Sequence, residues 1–269
     1  MTTQPTDNTP LQGQWALVTG ASSGLGVDFA KELAKRGANL ILVARRQDKL
    51  ETVQADITAT YGVEVDVVVM DLAERDAPER LYEQLRAAGK QVDILVNNAG
   101  FGAFGDFLAI DWDKERAMLD LDIITVVQMS KLFAKDMAAR GYGRLLQIAS
   151  TGGFQPTPLY ASYSAAKSFV LYWSNAISFE LRETGVSNTV ISPGITRTEF
   201  LQVTGQTMTR YQRLTLMESS EVARIGIDAM LRGQASIVPG LVNRLTAWST
   251  RFMPYQLSAW IAKQLMKNS

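Results

Sequence analysis

Neither cysteine nor histidine occurs anywhere in this chain of 269 residues. Without cysteine there is no disulfide and no thiol chemistry, and without both residues the usual zinc sites, Ser-His-Asp triads and Cys-His pairs cannot be assembled. No metal site is expected. Acid–base work near neutral pH falls instead to Tyr, Lys, Asp or Glu. An excess of one charge is lacking too: 27 Lys plus Arg meet 27 Asp plus Glu, so no net field draws the chain to nucleic acid, which is not an expected partner. Uncharged apolar runs of about 18 residues are absent, so no transmembrane segment is expected. The leader Met1 to Pro10 is polar, carries no positive charge and has no apolar centre. It reads as part of a disordered tail, residues 1–12, rather than a signal peptide, and a cytoplasmic location is the accompanying expectation.

With 46% hydrophobic residues the chain can bury one large core. Apolar strands and helical patterns alternate strictly along it. Strands are expected at Trp15 to Val18, Asn39 to Ala44, Val65 to Met70, Val92 to Val96, Arg144 to Ala149, Ser187 to Ile191 and Ala235 to Val238. Helices are expected between them, including one unbroken helix from Asp111 to Arg140 and another around Tyr160 to Glu183. This alternation predicts an α/β fold: a Rossmann-type, doubly wound parallel sheet of about seven strands with helices on both faces. One domain would span residues 13–240, followed by a helical extension, 241–269.

Ligands of such sheets bind beyond the carboxyl ends of the strands, and special residues gather there. Gly20-x-x-x-Gly24-x-Gly26 lies between the first strand and the first helix, where glycines let the backbone approach a pyrophosphate resting on helix amides. Gly20-Ala21-Ser22-Ser23-Gly24 also satisfies the G-x-S-x-G nucleophile elbow, but that mechanism needs a histidine and fails here. Arg45 and Arg46 follow the second strand, and Ala44 leaves no carboxylate for a ribose. Guanidinium groups there suit a 2′-phosphate, hence NADP(H) rather than NAD, although two arginines at a helix start are otherwise ordinary solvated charge. Asp71 either meets an adenine amino group or caps the local turn; both readings stay open.

Tyr163 and Lys167 stand four apart in an expected helix and so share one face. A cation beside a phenol favours the phenolate, which would make Tyr163 a usable acid and base at neutral pH. Ser150 ends the apolar run before that helix.

Together these segments resemble the single-domain short-chain dehydrogenase/reductase family, in its NADP-preferring branch. The resemblance covers roughly Gln14 to Val238 and rests on Thr19 to Gly26, Asn97 to Gly100, Ser150 with Tyr163 and Lys167, and Pro193-Gly194. It implies NADP(H)-dependent hydride transfer between nicotinamide and a carbonyl or secondary alcohol. Tyr163 would be the general acid–base, Lys167 would lower its pKa and hold the nicotinamide ribose, and Ser150 would orient the carbonyl. Cofactor contacts are expected from Gly20, Ser22, Ser23, Gly24, Leu25 and Gly26, then from Arg45, Arg46, Asp71 and Leu72. Asn98, Ala99 and Gly100, with Asn98 supporting the adenosine side, and Pro193, Gly194, Thr196 and Thr198 complete the set. One departure stands out: where the family usually carries an asparagine, 28 residues before Ser150, this chain has Asp122. Its backbone carbonyl can still hold a relay water, but its side chain cannot donate a hydrogen bond and brings a negative charge near Lys167.

Residues 194–220 lack strand character and carry Phe200, Leu201, Met208, Tyr211 and Leu216; the resemblance makes this a substrate lid. Phe101, Phe104, Phe154 and Tyr160 are candidates for further substrate wall, giving an apolar pocket for a bulky or long-chain small molecule. The extension carries Trp248, Phe252, Tyr255 and Trp260 among Arg244, Arg251 and Lys263. Such a mixture suits a membrane surface, yet packing against a second subunit or over the pocket is the preferred expectation. A homodimer or homotetramer is the assembly implied by the family. The rival from another class is a dinucleotide-binding sensor with little turnover, for which only Asp122 argues.

Overall fold

The computed structural model describes residues 10–198 and 209–266. Strands β1 (Trp15–Thr19), β2 (Asn39–Ala44), β3 (Val65–Val69), β4 (Ile94–Asn97), β5 (Gly143–Ile148) and β6 (Val186–Ile191) alternate with helices α1 (Gly24–Ala34), α2 (Gln47–Tyr61), α3 (Ala77–Ala87), α4 (Trp112–Leu119), α5 (Val126–Arg140) and α6 (Ala161–Glu180). Two short strands, β7 (Thr196–Arg197) and β8 (Met217–Glu218), flank helix α7 (Arg210–Thr215). Helix α8 (Ser219–Leu231), strand β9 (Ser236–Ile237) and helices α9 (Leu241–Ser249) and α10 (Tyr255–Met266) follow. Seven strands form one parallel sheet in the order β3-β2-β1-β4-β5-β6-β9.

The strands are apolar on both faces because both faces are covered. Within β1 and β2, Ala16, Val18, Leu40 and Leu42 join Phe29 and Leu33 of α1 in one core layer. Leu17, Ile41 and Val43 point the other way, into a layer with Phe133 and Met137 of α5. That is the two-residue alternation of a strand sandwiched between helices. Strand order reverses between β1 and β4, which leaves a crevice at their carboxyl ends.

Three expectations need correction. The unbroken helix expected from Asp111 to Arg140 is interrupted by a π-helical turn, Asp120–Thr125, between α4 and α5. Residues 194–220 do contain strand, since β7 and β8 pair in parallel through Thr196–Met217 and Arg197–Glu218. The loose tail does not reach residue 12: Leu11 is 1% exposed and its amide donates to the Arg36 carbonyl at 3.0 Å, so the core holds the chain from there. Phe200, Leu201 and Met208 fall outside the described residues. The extension forms two helices that break at a 3-10 turn and Pro254, where proline cannot continue a helix. No described helix is long and apolar enough to cross a membrane.

Candidate active site

A single crevice of about 440 Å³ runs along the carboxyl ends of β1, β2, β4, β5 and β6. At its nucleotide end the chain leaves β1 through Gly20, whose φ of +67° few side chains tolerate. A Cβ on Gly20 would lie 2.9 Å from the Ala99 Cα, and one on Gly26 would lie 2.2 Å from the Gly20 carbonyl oxygen. The first turn of α1 therefore rests directly on the glycine turn. Ser23 makes no side-chain cap and the first turn carries no acid, so the helix amides are left for an anion. Ser22, Ser23, Gly24 and Leu25 line the crevice, while Gly26 stands behind them.

Arg46 reaches across to the glycine turn, with Nε 3.4 Å and Nη2 3.3 Å from the Ser22 hydroxyl. Arg45 extends along the rim, Nη1 3.4 Å from Asp71 Oδ2. Asp71 Oδ1 accepts from the Ala73 amide at 3.0 Å, so one of its oxygens serves the local turn while the residue also lines the crevice. Leu72 is buried beside it, and its carbonyl accepts from Thr125 Oγ1 at 2.7 Å, which fastens the β3 end to the π turn.

Asn98 braces the end of β1. Its Nδ2 donates to the Thr19 carbonyl at 2.9 Å, while the amides of Asn98 and Ala99 both donate to Thr19 Oγ1 at 3.0 and 2.9 Å. Asn98 thus holds the glycine turn, and it also lines the crevice. Beneath lies a buried amide ladder that sequence reasoning missed. Asn97 donates to Gln147 Oε1 at 2.9 Å, Gln147 donates to Asn188 Oδ1 at 3.1 Å, and Asn188 donates to Ser174 Oγ at 2.7 Å. Three polar residues at strand positions otherwise filled by Leu and Val were its only sequence signal.

At the other end Ser150, Tyr163 and Lys167 come together on the crevice wall. Ser150 begins a 3-10 turn, its Oγ accepting from the Gly152 amide at 3.1 Å, and its hydroxyl also hydrogen-bonds the Tyr163 phenol. Lys167 is buried; its Nζ donates to the Ile148 carbonyl at 3.1 Å and lies 5.7 Å from the centre of the Tyr163 ring. Asp122, fully buried in the π turn, places Oδ2 3.0 Å from that Nζ as an ion pair rather than an aligned hydrogen bond. Its Oδ1 accepts from the Phe101 amide at 3.2 Å. A Cβ on Gly100 would lie 2.8 Å from Oδ1, so the carboxylate fits because residue 100 has no side chain. Asp122 lies behind the wall and does not face the crevice.

The Lys167 ammonium expected beside the phenol is paired with Asp122 in this structure. Tyr163 touches the crevice but is packed on its other sides. Burial pushes its phenol well above the usual range, the Asp122 charge adds to the rise, and the Ser150 hydrogen bond opposes it. The ammonium is held by Asp122 instead. Burial also pushes the Asp122 carboxyl above the ordinary carboxylate range, against the pull of Lys167 and the Phe101 amide.

Of the expected substrate residues, Phe101 and Tyr160 line the crevice. Phe104 and Phe154 do not. Phe104 packs on the far side of Tyr160, ring centres 5.1 Å apart, and Phe154 packs into the core with Val170 and Val190. Pro193, Gly194, Thr196 and Thr198 all lie on the crevice. Gln212 and Met266 join them unexpectedly. Gln212 was legible as the fourth residue of a Thr209-x-x-Gln212 capping box, which forms around α7.

Fold and site together define a Rossmann-type dinucleotide enzyme whose crevice brings a tyrosine, a lysine and a serine together. Comparison with known proteins agrees. The short chain dehydrogenase family profile matches residues 14–209. Among curated relatives, the very-long-chain 3-oxoacyl-CoA reductase of Anas platyrhynchos is 33% identical over 230 residues, 83% of this chain and 72% of the relative. The 17-beta-hydroxysteroid dehydrogenase type 3 of Mus musculus is 32% identical over 235 residues, 87% of this chain and 76% of the relative. Among solved structures, a short-chain dehydrogenase from Sphingobium yanoikuyae in complex with NADPH superposes with a TM-score of 0.80 at 28% identity, covering 89% of this chain and 93% of that one. The chain belongs to the short-chain dehydrogenase family and is an oxidoreductase acting on CH-OH and C=O groups.

Proposed function

We propose that this chain reduces a bulky, largely apolar ketone or 3-oxoacyl substrate with NADP(H), using Tyr163 as the proton donor. NADP(H) is the cofactor. The structural neighbour was solved with NADPH, and the features of this chain fit it: uncapped amides at the start of α1, a turn kept clear by Gly20 and Gly26, and Arg46 poised beside Ser22 at the 2′-phosphate end. When bound, the cofactor supplies the hydride for the carbonyl carbon.

One observation carries the reading. The Tyr163 phenol, hydrogen-bonded by Ser150, faces the same crevice as the glycine turn. The Ser150 hydroxyl orients a carbonyl oxygen, and the phenol gives that oxygen its proton and regains one from solvent. A phenol carries its proton at neutral pH, the form that can give one to a carbonyl oxygen, and the Ser150 hydrogen bond works against the rise that burial causes. Lys167, anchored by Ile148 and Asp122 on the crevice wall, would hold the nicotinamide ribose in this reading.

Support for the substrate class comes from the relatives, one named for very-long-chain 3-oxoacyl-CoA and the other for a 17-beta-hydroxysteroid. It also comes from Phe101, Leu121, Tyr160 and Met266 on the crevice wall. Gln212 brings α7 to the same wall, as a lid over residues 194–220 would require. A homodimer or homotetramer belongs to this reading, supported by exposed Phe169, Tyr172 and Phe179 on α6. Asp122, paired with Lys167, is the residue that favours the sensor alternative, and the assembly of Ser150, Tyr163 and Lys167 on one crevice outweighs it.

NADPH consumption should be followed over a panel of steroid ketones, bulky aryl ketones and long-chain 3-oxoacyl thioesters, with the wild type beside Tyr163→Phe after both are shown to bind NADPH. Turnover that collapses in the variant is the expected result. Equal turnover in both would remove Tyr163 from the chemistry, and absence of turnover on every member would reject the substrate class.

A further inference from the structure

Helices α9 and α10 each bury one face and expose another. Asn243 and Ala247 of α9 and Ser258 and Ala262 of α10 are buried against the body. Asn243 packs on Gly194, and Ser258 Oγ donates to Gln155 Oε1 at 3.0 Å. The opposite side of α9 and the turn after it carries Leu241, Leu245, Trp248 and Phe252, spaced four, three and four residues apart. That spacing makes one helical stripe. All four are exposed, Phe252 by 70%, and the Trp248 and Phe252 rings meet edge to face with centres 4.9 Å apart. Exposed Tyr255, Leu257 and Trp260 continue the pattern on α10. Contiguous apolar surface of this kind marks an interaction site rather than ordinary solvent-facing helix.

Charge identifies the occupant. The chain as a whole is neutral, yet from Ala229 to Ser269 it contains no Asp or Glu, against Arg232, Arg244, Arg251, Lys263 and Lys267. The rest of the protein is correspondingly acidic. Arg244, Arg251 and Lys263 are exposed and border the aromatic stripe. A second copy meeting this face across a two-fold axis would set these cations against one another with no local acid to pair them. An anionic lipid surface pairs all of them while its acyl boundary takes the Trp, Phe and Leu side chains, as in-plane amphipathic helices do.

We propose that the outer faces of α9 and α10 dock the protein peripherally onto an anionic bilayer. Both helices adjoin the crevice, since Met266 at the end of α10 lines it and Asn243 of α9 supports Gly194. Docking therefore brings the substrate end of the crevice close to the lipid surface. The docking itself does not depend on which carbonyl compound is reduced.

Flotation of the full chain with phosphatidylcholine vesicles, with and without phosphatidylglycerol, tests this. The wild type should float with the phosphatidylglycerol vesicles and release as salt is raised. Two variants at exposed positions probe the two components: Leu245→Ser/Trp248→Ser/Phe252→Ser for the apolar stripe and Arg244→Gln/Arg251→Gln for the charge. Unchanged NADPH affinity certifies that each is folded. The arginine pair should weaken binding roughly 30-fold, about 1 kcal/mol for each cation near the surface, and the apolar triple should abolish flotation. The proposal falls if the wild type stays unbound, or if either folded variant binds as the wild type does. It falls equally if the apolar triple dissociates a larger assembly in the absence of lipid, which would make a second copy the occupant.

Discussion

Lys167 Nζ sits 3.0 Å from Oδ2 of Asp122 but 5.7 Å from the centre of the Tyr163 ring. The cation that the sequence placed beside the phenol is thus answered by a buried carboxylate. Asp122 raises the phenol, so removing its charge must lower it. In Asp122→Asn the phenolate forms at lower pH. The alkaline rise of alcohol oxidation and the alkaline fall of carbonyl reduction should both move to lower pH than in the wild type. Initial rates against pH in both directions check this, and superimposable profiles would deny the carboxylate any influence on the chemistry.

The same pair sets a stability expectation. In Lys167→Met the Asp122 carboxyl loses its counter-ion inside the protein, and breaking such a buried pair costs about 3 kcal/mol or more. Its pKa is already raised by burial and rises further without Lys167. The folded form then favours the proton, so the loss should shrink as pH falls and deepen as pH rises through the folded value. Urea unfolding at several pH values measures it. Lys167→Met/Asp122→Leu, which removes both charges, should recover much of the stability.

Arg46→Ala should weaken NADPH binding roughly tenfold to a hundredfold, the range for a charge-assisted hydrogen bond of about 1.5–3 kcal/mol. NADH, with no 2′-phosphate, should bind nearly as before. Fluorescence titration with both nucleotides separates the cases. Equal losses would place Arg46 in general shaping of the glycine turn, through Ser22 Oγ 3.3 Å away.

Gly26→Ala would set a Cβ 2.2 Å from the Gly20 carbonyl oxygen, backbone against backbone, with no flexible side chain to yield. The turn and α1 must separate, at about 1–3 kcal/mol by analogy with overpacked cores. The phosphate cradle opens with them. A lower melting temperature together with loss of NADPH binding is expected. Gly26 carries no positive φ, so backbone strain adds nothing and the clash alone is what the variant tests.

Much of this site was legible because its residues punctuate strands. Gly20, Arg45, Asn97 and Ser150 each end an apolar run, and a parallel sheet gathers all such ends on one edge. Helical spacing put Tyr163 and Lys167 on one face, and the motifs at the other strand ends made that pair a site. What the spacing could not reveal was the partner: Asp122 reaches Lys167 only because the π turn carries it inward, and nothing in Leu121-Asp122-Ile123 distinguishes that turn from ordinary helix. Phe104 and Phe154 failed as wall residues because an aromatic next to a motif packs wherever there is core to fill. The strand character of 194–220 escaped because two-residue strands have no periodicity to read.

Between Asp120 and Thr125 the helical path holds one residue more than a regular α-helix would need. Removing one there would restore a regular hydrogen-bond ladder and let Met129 and Phe133 keep the core they share with Leu17 and Leu95. The bulge that carries Asp122 inward to Lys167 would be lost with it. A deletion at this one point of the chain therefore separates two things that a packed core usually ties together: it spares the fold and takes away the buried counter-ion.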